Sequence, residues 1–209
     1  MYRKFGKRLL DVIAAFTALV VLSPAFLGLA LAIRLDSPGP VLFRQKRVGI
    51  RGRYFYILKF RTMRTDTPSD TPTHLLKDPR QWITRVGAFL RKTSLDELPQ
   101  LWNILKGDMS FIGPRPALWN QDDLLREREK YGANDLVPGL SGWAQINGRD
   151  ELPIEVKARL DGEYARNISF RFDAKCFFGT LRAVLRRDGV VEGGPGSPEK
   201  EKENVPKGE

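Results

Sequence analysis

Two adjacent carboxylates, Asp96 and Glu97, lie in the densest run of chemically capable residues, Thr93–Pro116 (TSLDELPQLWNILKGDMSFIGPRP). Consecutive helical residues point about 100° apart, because a turn takes about 3.6 residues. One carboxylate in such a pair could attack an electrophile while its neighbour holds a metal ion. A structural role competes. Ser94-x-x-Glu97 fits a capping box, in which the two acids only favour a helix N-terminus. In a second parse Pro99 is the first helical residue. Either parse puts both acids at a helix start, and on spacing alone capping is the commoner use of the pattern.

Arg115 stands between Pro114 and Pro116. The prolines fix φ and reduce the entropy lost when the guanidinium engages a ligand, and its planar fork suits phosphate oxygens. A surface turn carrying a solvated arginine is the plainer alternative. Gly142–Arg149 (GWAQINGR) offers flexible glycines, amide donors and another arginine, either to line a nucleotide pocket or to pack as a loop. Neither GxxxxGK[ST] nor GxGxxG occurs, so the usual P-loop and dinucleotide signatures are absent. A single His (His74) and a single Cys (Cys176) exclude His-based and cysteine-rich metal clusters and a disulfide scaffold. Neither residue is given a role.

The elements that must position these groups are mostly helical. After Ser37-Pro38-Gly39-Pro40, two strand-like runs, 41–48 and 53–61, are separated by a Gly-containing loop and predict a β-hairpin. Tyr54, Tyr56, Leu58 and Phe60 share one face of the second run; Phe55, Ile57, Lys59 and Arg61 share the other. Residues 65–80, with three prolines, read as a loop. Residues 82–92 predict an amphipathic helix with Trp82, Val86, Phe89 and Leu90 on one stripe, facing either a lipid interface or the core. Helices are also predicted over 98–106, 117–131, 152–166 and 173–187, with 137–149 as an ordered loop. Residues 189–209 have the composition of a disordered tail. The expectation is an α+β, mainly helical chain in three parts: 1–36, 37–188 and 189–209.

Between Asp11 and Arg34 lie 22 uncharged residues, a membrane-helix candidate by length. Ser23-Pro24 interrupts the run at its middle, where proline breaks or kinks a helix. Both flanks are basic: Arg3, Lys4, Lys7 and Arg8 before, Arg34, Arg44, Lys46 and Arg47 after. The positive-inside rule puts basic flanks on the cytoplasmic side, so a bent helix that enters and leaves by one face satisfies both. Each half would descend roughly 16 Å, to about mid-bilayer. The Ser23 hydroxyl could satisfy a backbone group that Pro24 leaves free. A Pro-kinked span and a cleaved signal peptide ending at Ala30-Leu31-Ala32 are the alternatives.

Charge points the same way. The chain has 35 Lys/Arg and 25 Asp/Glu, a net +10. Residues 1–64 hold thirteen of the cations and two of the acids, a net +11, so the rest of the chain is near neutral. The partner of the first third is therefore an anionic surface or ligand.

Together these pieces resemble the bacterial sugar transferase family, the monotopic phosphoglycosyl transferases. The resemblance rests on Tyr2-Arg3 with Lys7–Asp11, Ser23-Pro24, Lys59–Met63, Arg91 with Ser94–Gln100, Leu105–Pro116 and Gly139–Arg149. It covers roughly residues 1–190 and the minimal form of the family. Within that form it looks most like the diacetylbacillosamine-1-phosphate transferase type. The resemblance implies a reaction in which Asp96 attacks the β-phosphorus of a UDP-sugar and expels UMP, leaving a sugar-phosphoryl-aspartate. Polyprenyl phosphate, expected to be undecaprenyl phosphate, would then take the phosphosugar. Glu97 would hold Mg²⁺ on the diphosphate. Lys59, Arg91, Arg115 and Arg149 would bind phosphates, and Asp161 would orient one of those arginines.

The resemblance further implies the re-entrant hairpin broken at Ser23-Pro24, placement on the cytoplasmic face of the bacterial inner membrane, and contact with anionic inner-leaflet lipids. Nucleic acid is not an expected partner, and nothing in the sequence fixes an oligomeric state. The sugar stays open among galactose, glucose, N-acetylgalactosamine and diacetylbacillosamine-like sugars. A non-catalytic, membrane-anchored basic adaptor is the alternative from another class. A glycosyltransferase releasing UDP is the alternative within the class. Multi-span phosphoglycosyl transferases are excluded, since only one segment is long enough to enter a bilayer.

Overall fold

The computed structural model describes residues 2–67, 79–148 and 152–186. A π-helical turn, Tyr2–Gly6, leads into α1 (Lys7–Val21), which breaks at Leu22 and resumes as α2 (Ser23–Asp36). The two helices meet at a bend of 62°, and among the described residues no single helix is long and apolar enough to cross a membrane. Pro24 has no N–H for the Val20 carbonyl four residues back. The Ser23 hydroxyl donates to that carbonyl at 2.8 Å, so the predicted compensation is present.

The hairpin pairs β1 (Leu42–Val48) antiparallel with β2 (Tyr54–Phe60), Phe43 opposite Lys59 and Arg44 opposite Leu58. The linker from α2 is clamped by buried Arg61, which donates to the carbonyls of Ser37 and Pro38. Next come α3 (Arg85–Thr93) and α4 (Gln100–Lys106), then β3 (Ser110–Ile112), α5 (Asp122–Glu129), β4 (Gly139–Ser141), α6 (Trp143–Ile146), α7 (Ile154–Arg166) and α8 (Phe170–Arg186).

Three expectations are corrected. The helix over 117–131 starts only at Asp122. Ala117 gives its carbonyl to the Val48 N–H, Leu118 pairs with Arg47 in an isolated bridge, and the Gln121 side chain accepts the Leu118 N–H. The ordered loop over 137–149 contains β4, which pairs in parallel with β3, and the short α6. The helix over 82–92 begins at Arg85, with Thr84 as its cap. Its stripe divides between core and surface: Leu90 is fully buried and Phe89 is exposed. Of the loop at 65–80, residues 68–78 lie outside the described residues, as does the tail over 189–209.

The helical pair shares the core of the rest of the chain. Ala15 is buried with Ile57, Leu101, Ile104 and Met109, and Ile33 with Phe60 and Leu90. Arg8 donates to the carbonyls of Ile104 and Leu105 at 2.5 and 2.8 Å, capping the end of α4. Asp11 accepts the Phe111 N–H at 3.1 Å, and Asp36 accepts the Val86 N–H at 3.0 Å. The opposite faces are bare and apolar, with Phe5, Leu9, Leu10, Ile13, Phe16, Val20 and Val21 exposed before the break and Leu27, Leu31 and Leu35 after it. Helix α8 exposes Phe170, Phe177, Phe178 and Leu181 while burying Cys176. Its buried Asp173 collects three donors from across the chain: the hydroxyls of Tyr2 and Tyr164 at 2.5 and 2.6 Å, and Lys7 Nζ at 2.7 Å.

Candidate active site

Asp96 and Glu97 occupy a 3-10 turn, Leu95–Glu97, between α3 and α4. The chain enters that turn through Ser94, whose φ of 57° is left-handed. For a non-glycine residue this backbone costs about 1 kcal/mol or more. The capping box is not formed. An N-cap residue takes extended angles, whereas Ser94 closes the end of α3 and its side chain caps nothing. Thr84 does the capping on α3, accepting the Gly87 N–H at 2.9 Å. Pro99 is the residue before the first turn of α4, one place from the second parse. Both acids do stand at a helix start, but neither is spent on capping it.

Among the described residues three cations from separate elements ring the pair. Lys59 Nζ, from β2, lies 2.7 Å from Glu97 Oε1. Arg115 Nη2, from the loop after β3, lies 3.4 Å from the same oxygen, and Glu97 Oε2 carries neither contact. Arg91, in the last turn of α3, donates its Nε to Thr62 Oγ1 at 2.9 Å and adds its charge to the field at Asp96. Among the described residues no side chain hydrogen-bonds to Asp96.

The two carboxyls are driven apart. At Asp96 burial prevails, helped by the negative charge of Glu97, and its pKa is raised although Lys59, Arg91 and Arg115 oppose this. At Glu97 burial also pushes upward, but Lys59 and then Arg115 outweigh it and hold the group at about 2. Divergent environments of this kind divide roles between neighbouring acids. Glu97 is a fixed, neutralised anion, and Asp96 is a carboxyl that feels the same cations but, among the described residues, accepts no side-chain hydrogen bond.

Backbone devices hold these elements in register. Asn103, almost fully buried on α4, takes the place of a third strand at the edge of β2. Its Oδ1 accepts the Leu58 N–H at 3.0 Å, and its Nδ2 donates to the Tyr56 carbonyl at 2.8 Å. Lys59 is thus tied to the helix that follows Glu97. The Pro114–Pro116 loop is seated by a close approach of two glycines. A Cβ on Gly139 would lie 2.1 Å from the Gly113 nitrogen. Asn103 does not stand out in sequence, because an amide inside an apolar run has many ordinary uses.

Asp161 pairs with an arginine outside the expected set. It is buried on α7 and grips Arg128 of α5, with Nε and Nη2 at 2.8 and 2.7 Å. Its pairing is therefore with none of Lys59, Arg91 or Arg115. Arg128 was absent from the expected set, since a cation in a charged helix carries no signal. It lies with Arg115 along a small cleft behind the Pro-Arg-Pro loop, so Asp161 supports that loop from behind. Arg149 lies outside the described residues.

Mg²⁺ is the metal the resemblance implies. Among the described residues no group of three or more His, Cys, Asp or Glu side chains gathers to cage an ion. Magnesium is commonly bound by one or two carboxylates plus substrate phosphates and waters. Glu97 Oε2, beside Asp96 and within a ring of phosphate-seeking cations, fits that pattern.

Residues 2–187 match the family described as bacterial sugar transferase. A Bacillus subtilis sugar transferase, EpsL, itself uncharacterized, is 42% identical over 89% of this chain and 90% of its own length. The UDP-glucose:undecaprenyl-phosphate glucose-1-phosphate transferase of Escherichia coli is 43% identical over 84% of this chain. An Aeromonas hydrophila UDP-N-acetylgalactosamine-undecaprenyl-phosphate N-acetylgalactosaminephosphotransferase is 41% identical over 87% of it. The chain spans 39% and 44% of those two longer relatives. With residues 2–187 matched, and the paired acids and their cations inside the match, the chain belongs to the bacterial sugar transferase family and is a transferase.

Proposed function

We propose that the protein moves a sugar-1-phosphate from a UDP-sugar to polyprenyl phosphate, releasing UMP, and so starts a membrane glycoconjugate. The observation that carries this reading is the unequal carboxyl pair: Glu97 locked by Lys59 and Arg115, Asp96 beside it with no side-chain hydrogen bond among the described residues. The named activities of the Escherichia coli and Aeromonas relatives support the same reading. Those relatives differ in their sugar, so the donor is assigned as a UDP-sugar and not narrowed to the bacillosamine type. The adaptor alternative leaves the acid pair and its ring of cations without a purpose.

In the first step a carboxylate oxygen of Asp96 bonds to the β-phosphorus, and the bond from that phosphorus to the bridging oxygen breaks. UMP leaves with the electron pair. In the second step an oxygen of polyprenyl phosphate bonds to the same phosphorus and frees the Asp96 carboxylate, giving a polyprenyl-diphosphate-sugar. Lys59 and Arg115 supply positive charge where the diphosphate oxygens would lie, so that an anionic nucleophile can approach an anionic substrate. Arg91 adds to that field, and Arg149 is proposed to join it. The raised Asp96 pKa strengthens its basicity as a nucleophile while leaving it a carboxylate that can depart again. Glu97 would hold Mg²⁺, which when bound neutralises diphosphate charge.

The bent pair α1–α2 is proposed to enter the cytoplasmic leaflet and return. The 62° bend, the ten bare apolar side chains and the basic flanks support this. Accessibility of single cysteines placed at Arg3 and Arg47 to a membrane-impermeant reagent tests it: labelling from opposite sides sinks the hairpin. The reaction is tested by UMP release from a panel of UDP-sugars with undecaprenyl phosphate and Mg²⁺. Release of UDP instead, or UMP release undiminished in Asp96→Asn, overturns the mechanism.

A further inference from the structure

The outer face of the hairpin carries a second recognition surface, away from the paired acids. Tyr54, Tyr56 and Leu58 alternate along β2 with Lys59, so they face away from Glu97. Together with Trp102 of α4 they line an open groove of about 460 Å³. Tyr54, Tyr56 and Trp102 are each more than half exposed, which is unusual for large side chains unless they meet a partner.

Arg44 lines the groove beside the aromatic rings, and Lys46 stands just outside it on the lining residue Tyr54. The Arg44 guanidinium stands 5.3 Å over the Tyr56 ring, and Lys46 stands 4.0 Å over Tyr54. Lys46 also lies 5.7 Å from the centroid of Trp119. Among the described residues neither cation has a carboxylate partner. Lys106 lines the far end and is neutralised by Asp108 at 3.0 Å. Two uncompensated cations held on aromatic rings call for an anion joined to an apolar body.

Two tethers place the groove at the level where the hairpin meets the globular part. Arg8, in the basic flank of α1, caps the end of α4 next to Lys106. On the other side Leu42 follows the end of α2 by a short clamped linker. If α1 and α2 dip into the leaflet, both tethers lie at headgroup height, where tryptophan, tyrosine and basic side chains are enriched.

We propose that this groove binds an anionic phospholipid of the leaflet, its phosphate between Arg44 and Lys46 and its glycerol and first acyl carbons against Tyr56 and Trp102. The height argument rests on the re-entrant reading above; the charge argument does not. The acceptor polyprenyl phosphate shares this chemistry, but Lys59 and the acids lie on the other side of β2, which favours a phospholipid.

The test uses the full chain. Its partitioning is measured onto vesicles of neutral phosphatidylcholine and of phosphatidylcholine with phosphatidylglycerol. Binding of soluble dihexanoyl-phosphatidylglycerol is followed in detergent by tryptophan fluorescence. Wild type is expected on neutral vesicles, with added affinity when phosphatidylglycerol is present. Arg44→Gln with Lys46→Gln should keep the neutral partitioning and lose roughly tenfold or more of that added affinity, at about 1 kcal/mol per cation. Trp102→Ala should weaken the short-chain lipid without changing neutral partitioning. Saturable short-chain binding lost in the double variant supports the groove. Anionic enhancement and short-chain binding both unchanged in the variant overturn it, whatever the hairpin does. Failure to bind neutral vesicles, with short-chain binding intact, overturns the hairpin and leaves the groove. Displacement of the short-chain lipid by a short polyprenyl phosphate at lower concentration overturns the phospholipid assignment.

Discussion

Replacing Lys59 with glutamine should be read first in its effect on pH dependence. Lys59 is the largest influence holding Glu97 down, ahead of Arg115, and it opposes a burial that pushes the other way. The depression from 4.5 to about 2, at about 1.4 kcal/mol per pH unit, amounts to about 3 kcal/mol of folded-state stability. Little of this is lost to solvent, since the two side chains are only 18% and 22% exposed. The folded pKa lies below the unfolded one, so the contribution is fully present above pH 4.5. It is lost as pH falls through about 2, because the unfolded chain takes up the proton first. Urea unfolding in detergent between pH 5 and pH 2.5 should show most of that loss in wild type and much less in Glu97→Gln. In Lys59→Gln burial is left opposed mainly by Arg115, so the Glu97 pKa rises. Asp96 rises with it, because Lys59 is also the leading influence lowering that group. The acid limb of kcat/KM for UMP release should therefore move to higher pH, beyond any fall in plateau rate. A plateau that falls with the limb unmoved would refute the electrostatic coupling and leave Lys59 as a substrate contact only.

Other outcomes follow from the same contacts. Asp96→Asn should reduce UMP release at least 10³-fold while the far-ultraviolet spectrum is unchanged, as expected for loss of a nucleophile. Asp161→Asn removes most of the compensation from buried Arg128 and should cost about 3–5 kcal/mol in urea unfolding. Asn103→Leu strands the Leu58 N–H and the Tyr56 carbonyl, at about 1–3 kcal/mol each. Amide exchange at Leu58 should accelerate accordingly. Pro24→Leu restores the missing N–H and should straighten the bend, seen as opposite-side labelling of cysteines at Arg3 and Arg47 in place of same-side labelling.

The legible parts of the chain were those with a local signal. Alternation over 41–61 gave the hairpin and placed Lys59 opposite the Tyr face. The Ser-Pro break gave the bend and even the hydroxyl that repairs it. Chain-distant pairing left no such trace. Strands β3 and β4 have three residues each, too short for alternation, and they meet because two glycines let their backbones touch. The Ser94-x-x-Glu97 pattern misled because the same letters serve an entry cap or an exit in left-handed conformation, and the preceding helix decides which. Arg128 and Asp161 are 33 positions apart on two helices, so only packing could pair them. At the active site, residue types and adjacency singled out Asp96, Glu97 and Arg115 and the family resemblance added Lys59, but the division of charge between the two acids comes from how far the cations outweigh burial at each.

The tie at Asp173 sets a timetable. Its partner Tyr2 is 171 positions away, nearly the whole described chain. At about 5–20 residues per second of synthesis, roughly 10–30 s separate the two ends. Throughout that interval the first helices exist without Asp173, and for more than half of it also without Met109 and Leu101 beneath Ala15 and without the Phe111 N–H on Asp11. Their apolar surface must be received by something other than their own chain, a bilayer or a chaperone. The globular part then completes itself against helices already in place.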